Sequence, residues 1–351
     1  MKWRRFEFGE LPGGTKARLF ELEGEGGLRV SLSDFGGHVT RIQVPTHEGL
    51  RDVALGHDRL EPYRITEGNP YLGSLIGRFA NRIREGRFVL DGEEHQVAVN
   101  ESPHTLHGGD GGFHSRLWRA TPLTDGDRVG LRLERESPHG EEGFPGRLLV
   151  TVFYWVRADN ALEIRYQART DRPTILNLTN HTYFNLGGRG EEIGEHQAVI
   201  HGSRFLPIDP EFIPTGDWLP VAGTPFDLRS PRPIGQGLRS GHPQIRRAKG
   251  YDHTWVLDGP DKKGQELRPA AKVEAEGVAL EVWTDQPGLQ FYTGNSLDGK
   301  ARGRHGQRLA RQTGFCLEAQ NFPNAPNHAH FPSSVLRPGE TYRQRTEYRF
   351  R

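Results

Sequence analysis

Residues 177–186 read NLTNHTYFNL, and their β-branched and aromatic side chains predict a strand. The polar positions are amides, hydroxyls and His181, with no Lys, Arg, Asp or Glu among them. Because a solvated strand face usually carries charge, this face is expected to contact something polar and specific. Histidine is the side chain best suited to exchange protons near neutral pH. The alternative is a structural histidine, held by hydrogen bonds at a strand end.

Alternation of apolar and polar residues, typical of half-buried strands, recurs along the chain at 28–32, 162–166, 278–282 and 342–350. The nearly apolar run 148–156 predicts a central strand that is covered on both faces. Helical patterns are few, at 58–65 and 234–238. The 45 glycines and 24 prolines are spread over the whole length, as expected for many short strands joined by turns. The sequence therefore predicts an all-β fold: one large β-sandwich domain over residues 1–351, with few short helices.

Composition excludes several classes of function. The 46 basic and 45 acidic residues give a net charge of +1, so neither a nucleic-acid-binding face nor an acidic tail is indicated. The single cysteine, Cys316, excludes an internal disulfide framework. The N-terminus lacks the apolar stretch of a secretory signal, and no apolar run is long enough to span a membrane. The expectation is a cytoplasmic protein with no nucleic-acid or membrane partner.

Five other segments combine glycines or aromatic residues with polar side chains: GRFANRI (77–83), LHGGDGGFH (106–114), GYDHTW (250–255), QPGLQFYTGN (286–295) and FCLEAQNFP (315–323). Strand alternation places Asp252 on the face of Thr254, Gln290 on the face of Tyr292, and Glu318 on the face of Cys316 and Gln320.

Each candidate also has a structural interpretation. Arg82 can form a rim salt bridge, Asp252 can cap a turn, Gln290 can be merely exposed, and Glu318 can lie at a solvated strand edge. The functional interpretation makes Arg82 a fork of donors for substrate oxygens and Glu318 a general base.

The spacing of His104, His107 and His114 raises the question of a metal site. No carboxylate or thiolate spacing accompanies these histidines, and zinc motifs are more regular, so no metal is expected. The glycine-rich loop lacks the Lys-Ser/Thr ending of a phosphate-binding loop. Together the segments suit a small, neutral, polyhydroxylated ligand.

The six segments, with LRPGETY near the C-terminus, occur in the order found in the aldose 1-epimerase (galactose mutarotase) family, which the chain resembles from about Phe8 to Phe350. The resemblance implies a galactose mutarotase-like supersandwich and cofactor-free interconversion of the α and β anomers of a free hexose such as galactose or glucose. It implies His181, protonated, as general acid and Glu318, ionised, as general base. The substrate-binding residues that it implies are Asn81, Arg82, His107, Tyr183, Asp252 and Gln290.

Two positions depart from the family pattern. The family commonly has Phe-Asp where this chain has Phe113-His114, and Pro-Asp-Ala where it has Pro323-Asn324-Ala325. Both departures bear on loop structure or sugar preference rather than on the acid–base pair.

Three other functions remain open on the sequence alone. A non-catalytic sugar-binding protein would not need both His181 and Glu318. A glycoside hydrolase would pair Glu318 with Asp252 as two carboxylates. An epimerase of phosphorylated hexoses would need cations beyond Arg82 for the phosphate. A monomer and a homodimer are both compatible with the sequence.

Overall fold

The computed structural model describes residues 1–188, 190–259 and 266–351 of the 351-residue chain. In these residues the two α-helices are short, α1 Ile234–Leu238 and α2 Pro243–Ala248. Single 3₁₀ turns occur at Glu61–Arg64, Arg84–Gly86, Phe113–Ser115, Glu141–Gly143, Ile193–Glu195, Arg304–Gly306 and Ala325–Asn327. None of the described helices is long and apolar enough to cross a membrane.

The strands of the described residues are, in chain order, β1 Lys2–Glu10, β2 Lys16–Glu23, β3 Arg29–Ser33, β4 Val39–Thr46, β5 Gly49–Asp52, β6 Ser74–Ile76, β7 Arg82–Ile83, β8 Arg87–Leu90, β9 Glu93–Gln96, β10 Thr105–Leu106, β11 Arg119–Asp125, β12 Arg128–Ser137, β13 Leu148–Arg157, β14 Ala161–Thr170, β15 Thr174–Ile175, β16 Thr179–His181, β17 Tyr183–Phe184, β18 Gln197–Ile200, β19 Arg204–Phe205, β20 Leu219–Pro220, β21 Arg232–Pro233, β22 Asp252–Val256, β23 Arg268–Ala275, β24 Val278–Thr284, β25 Gly288–Tyr292, β26 Asp298–Arg302, β27 Arg308–Ala310, β28 Phe315–Gln320, β29 Val335–Leu336 and β30 Tyr342–Phe350.

Three sheets contain most of these strands, and the strand pairs described within the three sheets are antiparallel. The largest has the order β11-β12-β13-β14-β30-β24-β23-β18-β21. A six-stranded sheet has the order β17-β28-β25-β22-β19-β20, and a five-stranded sheet runs from β1 to β5 in chain order. The remaining strands form two-stranded ladders. The prediction of an all-β sandwich with few short helices is confirmed.

The core lies between the nine-stranded and six-stranded sheets. One apolar cluster joins Ile164 and Tyr348 of the first sheet to Phe291, Phe315 and Leu317 of the second. The Tyr348 hydroxyl also donates to the Leu317 carbonyl at 3.0 Å. Because side chains alternate along a strand, turning one face of the six-stranded sheet into this core leaves the other face for polar side chains.

Two details of the sequence-based prediction are wrong. The run 148–156 lies in β13, inside the nine-stranded sheet, but only one of its faces is fully covered: Val150 and Val152 are buried, whereas Leu149 is 47% exposed. The helix expected at 58–65 is a single 3₁₀ turn, Glu61–Arg64, with a proline at its start.

The stretch 177–186 forms two short strands rather than one. β16 pairs with β6, so that His181 lies opposite Ser74, while β17 pairs with β28 in the six-stranded sheet. The chain changes sheet at Thr182, whose backbone N–H and hydroxyl both contact the Asn180 side-chain oxygen. This crossing brings His181 over the polar face of β28.

Candidate active site

Two rows of side chains cross the polar face of the six-stranded sheet. In the first row, Thr254 of β22 lies opposite Gln290 of β25, which lies opposite Glu318 of β28. In the second row, two residues along each strand, Asp252 lies opposite Tyr292, which lies opposite Cys316. Strand pairing thus gathers residues from three distant segments onto one surface, with the face assignments that alternation predicted.

The rows are joined by hydrogen bonds between side chains. The Gln290 amide donates to Asp252 Oδ1 at 2.6 Å, and the Thr254 hydroxyl donates to Gln290 Oε1. Gln290 is therefore a buried bridge that orients the Asp252 carboxylate, rather than a merely exposed amide.

His181 lies above β28 with each ring nitrogen near a different side chain of that strand. Its Nε2 is 3.7 Å from Glu318 Oε1, and its Nδ1 is 3.5 Å from Cys316 Sγ. The side chains of His181 and Glu318 are only 5% and 2% exposed. Glu318 Oε2 has no hydrogen-bond partner among the residues that the structure describes. The structural alternative for Glu318, a solvated strand edge, is wrong.

A small ladder places a second histidine beside the first. β7 pairs with β10, and the His107 N–H donates to the Asn81 carbonyl at 3.1 Å. In return, the Asn81 N–H donates to His107 Nδ1 at 3.2 Å. Both residues have positive φ, 64° and 52°, an uncommon conformation that often accompanies functional sites. The His107 and His181 rings meet edge to face, 5.1 Å apart.

Arg82 is held on three sides. Its Nε and Nη2 donate to the two carboxylate oxygens of Glu101 at 2.5 and 2.8 Å, and its guanidinium lies 5.2 Å from the Phe212 ring centre. Its backbone N–H donates to Asn81 Oδ1 at 2.8 Å. The salt-bridge interpretation of Arg82 is therefore correct, but the bridge also fixes a guanidinium that lines the same small cavity as Asp252.

Burial dominates the electrostatics of the pair. It lowers the pKa of His181 to about 4 and, together with the negative charge of Asp252, raises the pKa of Glu318 well above its usual range. Burial also raises the pKa of Asp252, against the opposing effect of Arg82. These directions favour an uncharged His181–Glu318 pair with its proton on Glu318. The resemblance implied an ion pair instead, with ionised Glu318 and protonated His181. The neutral pair and this ion pair contain the same number of protons, one, and differ only in which partner carries it.

The described residues contain one group with the composition of a metal site. Ligand atoms of His107, His181 and Glu318 lie within 4.8 Å of one another. The His107 ring does not suit a metal, because Nδ1 accepts the Asn81 N–H and the neutral ring therefore carries its proton on Nε2. Metal-ligating histidines have the opposite arrangement, with the free nitrogen donating its proton to an acceptor. Nε2 is therefore the nitrogen of His107 that can donate a hydrogen bond.

The other residues of 177–186 support this arrangement through the backbone. Asn177 donates to the carbonyls of Ala80 and Asn321, the Thr179 hydroxyl donates to the Ala319 carbonyl, and the Asn180 amide donates to the Gly73 carbonyl. These contacts agree with an orienting function for the three polar side chains.

Tyr183 differs from the other predicted substrate-binding residues. Its hydroxyl donates to the Pro70 carbonyl at 2.8 Å, and its ring lies 5.1 Å from that of His181. The hydroxyl proton of Tyr183 is thus engaged by the main chain. Its proposed contact with substrate stays a prediction.

A cavity of about 10 Å³ lies beside Arg82, Asp252 and Gln290. It is lined by Asn81, Arg82, Leu206, Ile208, Phe212, Pro214, Asp252, Thr254, Gln290 and Pro323. Its volume suits about one water molecule. Gln290, which lines the cavity, lies opposite Glu318 on the neighbouring strand.

Sequence reasoning missed two neighbours of the site. Glu101 lies in a turn closed by reciprocal backbone hydrogen bonds with His104, and no local pattern marks it. Phe212, in the sequence PEFIP, has a φ of 63° and lies beside Arg82. The prolines signal a turn there, but only the fold shows that the turn borders the site. Of the histidines weighed as metal ligands, only His107 belongs to the cluster with His181 and Glu318.

Known proteins resemble this chain over nearly its whole length. The model of the aldose 1-epimerase family matches residues 18–349. A galactose mutarotase from Sus scrofa is 42% identical over 99% of this chain and 98% of its own length. An aldose 1-epimerase from Escherichia coli K12 is 38% identical over 97% and 96% of the two chains.

A solved structure agrees as well. The galactose 1-epimerase from Lactobacillus acidophilus NCFM superposes with a TM-score of 0.88 and 27% identity, covering 100% of this chain and 98% of that one. A family model spanning nearly the whole chain, relatives well above 30% identity and the same fold lead to one conclusion. The chain belongs to the aldose 1-epimerase family.

Proposed function

We propose that the protein is an aldose 1-epimerase that interconverts the α and β anomers of free hexoses such as galactose and glucose. The observation that carries the proposal is the His181–Glu318 pair, buried together with 3.7 Å between Nε2 and Oε1. Two oxygens bonded to one carbon fit such a pair, since each can lie within hydrogen-bond reach of one partner. In a pyranose the anomeric hydroxyl and the ring oxygen are both bonded to C1.

The reaction needs one proton removed and one delivered. Glu318 takes the proton of the C1 hydroxyl while His181 gives a proton to the ring oxygen, and the C1–O5 bond breaks to give the open-chain aldehyde. After rotation about C1–C2, the ring closes on the other face of the carbonyl and both proton transfers reverse. Each positioned acid or base contributes about 10²–10⁴ to the rate.

The reaction requires that His181 and Glu318 together carry one proton. Burial shifts their two pKa values in the directions that produce this state. Between the lowered pKa of His181, about 4, and the raised pKa of Glu318, the pair holds a single proton. A transfer between the two partners produces ionised Glu318 and protonated His181 without any exchange with solvent. Activity should fall at low pH, where the pair gains a second proton, and at high pH, where it loses its only one.

The surrounding residues bind and orient the sugar. His107 donates its Nε2–H to the sugar, and this proposal is supported by the Asn81 N–H bond to Nδ1, which leaves the proton of the neutral ring on Nε2. Arg82, held by Glu101, and Asp252, held by Gln290, offer a donor and an acceptor for hydroxyls away from C1. We further propose that residues 1–351 form one domain and that the protein acts in the cytoplasm.

Polarimetry tests the proposal. Freshly dissolved α-D-galactose and α-D-glucose should reach their equilibrium rotation faster with the protein than without it. No acceleration for any free aldose would contradict the proposal. The same protein should release no nitrophenol from nitrophenyl galactosides; release would instead favour a hydrolase with Glu318 and Asp252 as its two carboxylates.

A further inference from the structure

The single cysteine of the chain contacts the imidazole of the acid–base pair. Cys316 is fully buried, and its Sγ lies 3.5 Å from His181 Nδ1. Glu318, two residues further along β28 on the same face, lies 3.7 Å from Nε2. The His181 imidazole thus lies between two side chains of one strand. The proposed reaction uses Glu318 but assigns no function to Cys316.

Other ring neighbours of His181 in the described part of the chain direct their hydroxyls elsewhere. The Tyr183 hydroxyl donates to Pro70, and the Tyr292 hydroxyl pairs with Ser296 at 2.8 Å. Tyr71 contacts Asn100 at 3.4 Å. The titratable groups that face the ring are Tyr71, His107, His114, Tyr183, Tyr292, Cys316 and Glu318.

The position of the Nδ1 proton decides whether His181 can act. If Nδ1 carries a proton, Nε2 can alternate between protonated and free, as a general acid requires. If a thiol proton were donated to Nδ1 instead, Nε2 would hold the only ring proton of the neutral imidazole and could not release it. The productive arrangement therefore needs an acceptor at Nδ1 in both protonation states.

We propose that Cys316 is a positioning residue whose sulfur accepts the Nδ1–H of His181 and so keeps Nε2 as the nitrogen that exchanges protons with the sugar. The inference rests on the proposed mutarotase function. Sulfur is a weak acceptor, and the main chain of His181 also hydrogen bonds to the ring. The contribution is therefore modest, about 3- to 10-fold in rate. The thiol stays protonated, because burial raises the pKa of Cys316 well above its usual range.

Substitution of Cys316 tests the proposal kinetically. Cys316→Ala removes the acceptor and should lower kcat about 3- to 10-fold, with KM within about twofold, because sugar contacts are unchanged. It should also shift the acid limb of the pH–rate profile. Cys316→Ser restores an oxygen acceptor and should recover most of the lost rate. Wild-type kcat and pH limits in the folded Cys316→Ala enzyme would overturn the proposal.

Leu317→Ala is the matched control. Leu317 precedes Glu318 on the opposite face of β28 and packs in the core. This variant should lower the melting temperature yet keep the kcat and pH limits of the wild type at a temperature where it is folded. If it instead reproduced the kinetic effect of Cys316→Ala, that effect would be general loosening of β28, and the positioning function would be wrong.

A spectroscopic measurement locates the ring proton directly in the wild-type protein. The ring ¹⁵N resonances of His181, assigned by their loss in His181→Asn, should show a protonated Nδ1 at neutral pH. A neutral ring protonated on Nε2 would overturn the proposal even in an active enzyme. An inactive wild type would instead contradict the mutarotase function itself, so the two failures are distinguishable.

Discussion

Replacement of Glu318 by glutamine removes the proposed base while keeping its shape. The side chain is 2% exposed, and its carboxyl group lies 3.7 Å from the His181 ring. Since burial raises the pKa of Glu318, the amide replaces a carboxyl group that already favours its neutral form. The cost in folding free energy should therefore be below about 1 kcal/mol.

The loss of activity should be much larger than the loss of stability. An amide cannot take the C1 hydroxyl proton, so kcat should fall about 10²–10⁴-fold, equivalent to about 3–5 kcal/mol in activation free energy. KM should change little, because Arg82, His107 and Asp252 are untouched. Glu318→Asp keeps the carboxylate but withdraws it, and should retain more activity than the amide.

Polarimetry of fresh α-D-galactose measures these rates after subtraction of spontaneous mutarotation. Urea unfolding checks that the variant is folded. Glu94→Gln, an exposed acid on β9, serves as the control and should match the wild type. Near-normal turnover by a folded Glu318→Gln enzyme would refute the assignment of Glu318 as the base.

Three further predictions concern the supports of the site. Glu101→Gln weakens the bidentate hold on Arg82 and should raise KM several-fold with kcat within about twofold, whereas an unchanged KM would show that Arg82 does not need Glu101. Asn180→Ala removes hydrogen bonds to Gly73 and Thr182 and should lower kcat less than His181→Ala does; an equal loss would make Asn180 more than an orienting group. Burial lowers the pKa of His38 and His196 to about 4, so between about pH 6.5 and 4 the unfolded chain binds protons that the folded chain does not. The free energy of unfolding should then fall on acidification by up to about 1.4 kcal/mol per pH unit for each such histidine, and a urea midpoint unchanged from pH 7 to pH 5 would contradict this.

Local periodicity predicted the faces of the site strands correctly. Alternation is a geometric property of every strand, so Asp252, Gln290 and Glu318 could be assigned to one side of their strands from sequence alone. The hydrogen-bonded register that aligns Thr254, Gln290 and Glu318 joins segments far apart in the chain. No local pattern contains that register, so the distances within the site could not be predicted.

Features that depend on tertiary packing were missed for the same reason. The apolar composition of 148–156 suggested two covered faces, yet Leu149 is largely exposed because only one face of β13 meets the core. The break at Thr182 places the two halves of 177–186 in different sheets. Two arginines of GRFANRI also differ in function: Arg78 is buried and donates to the carbonyls of Pro145 and Gly146, whereas Arg82 borders the cavity.

The central claim is that His181 and Glu318 act as one unit in opening the ring. The most direct test is the polarimetric kcat of His181→Asn, of Glu318→Gln and of the double variant with α-D-galactose. Because neither partner can complete the proton exchange without the other, the double variant should be about as slow as the slower single variant. Losses that multiply in the double variant would show two independent contributions and would contradict the claim.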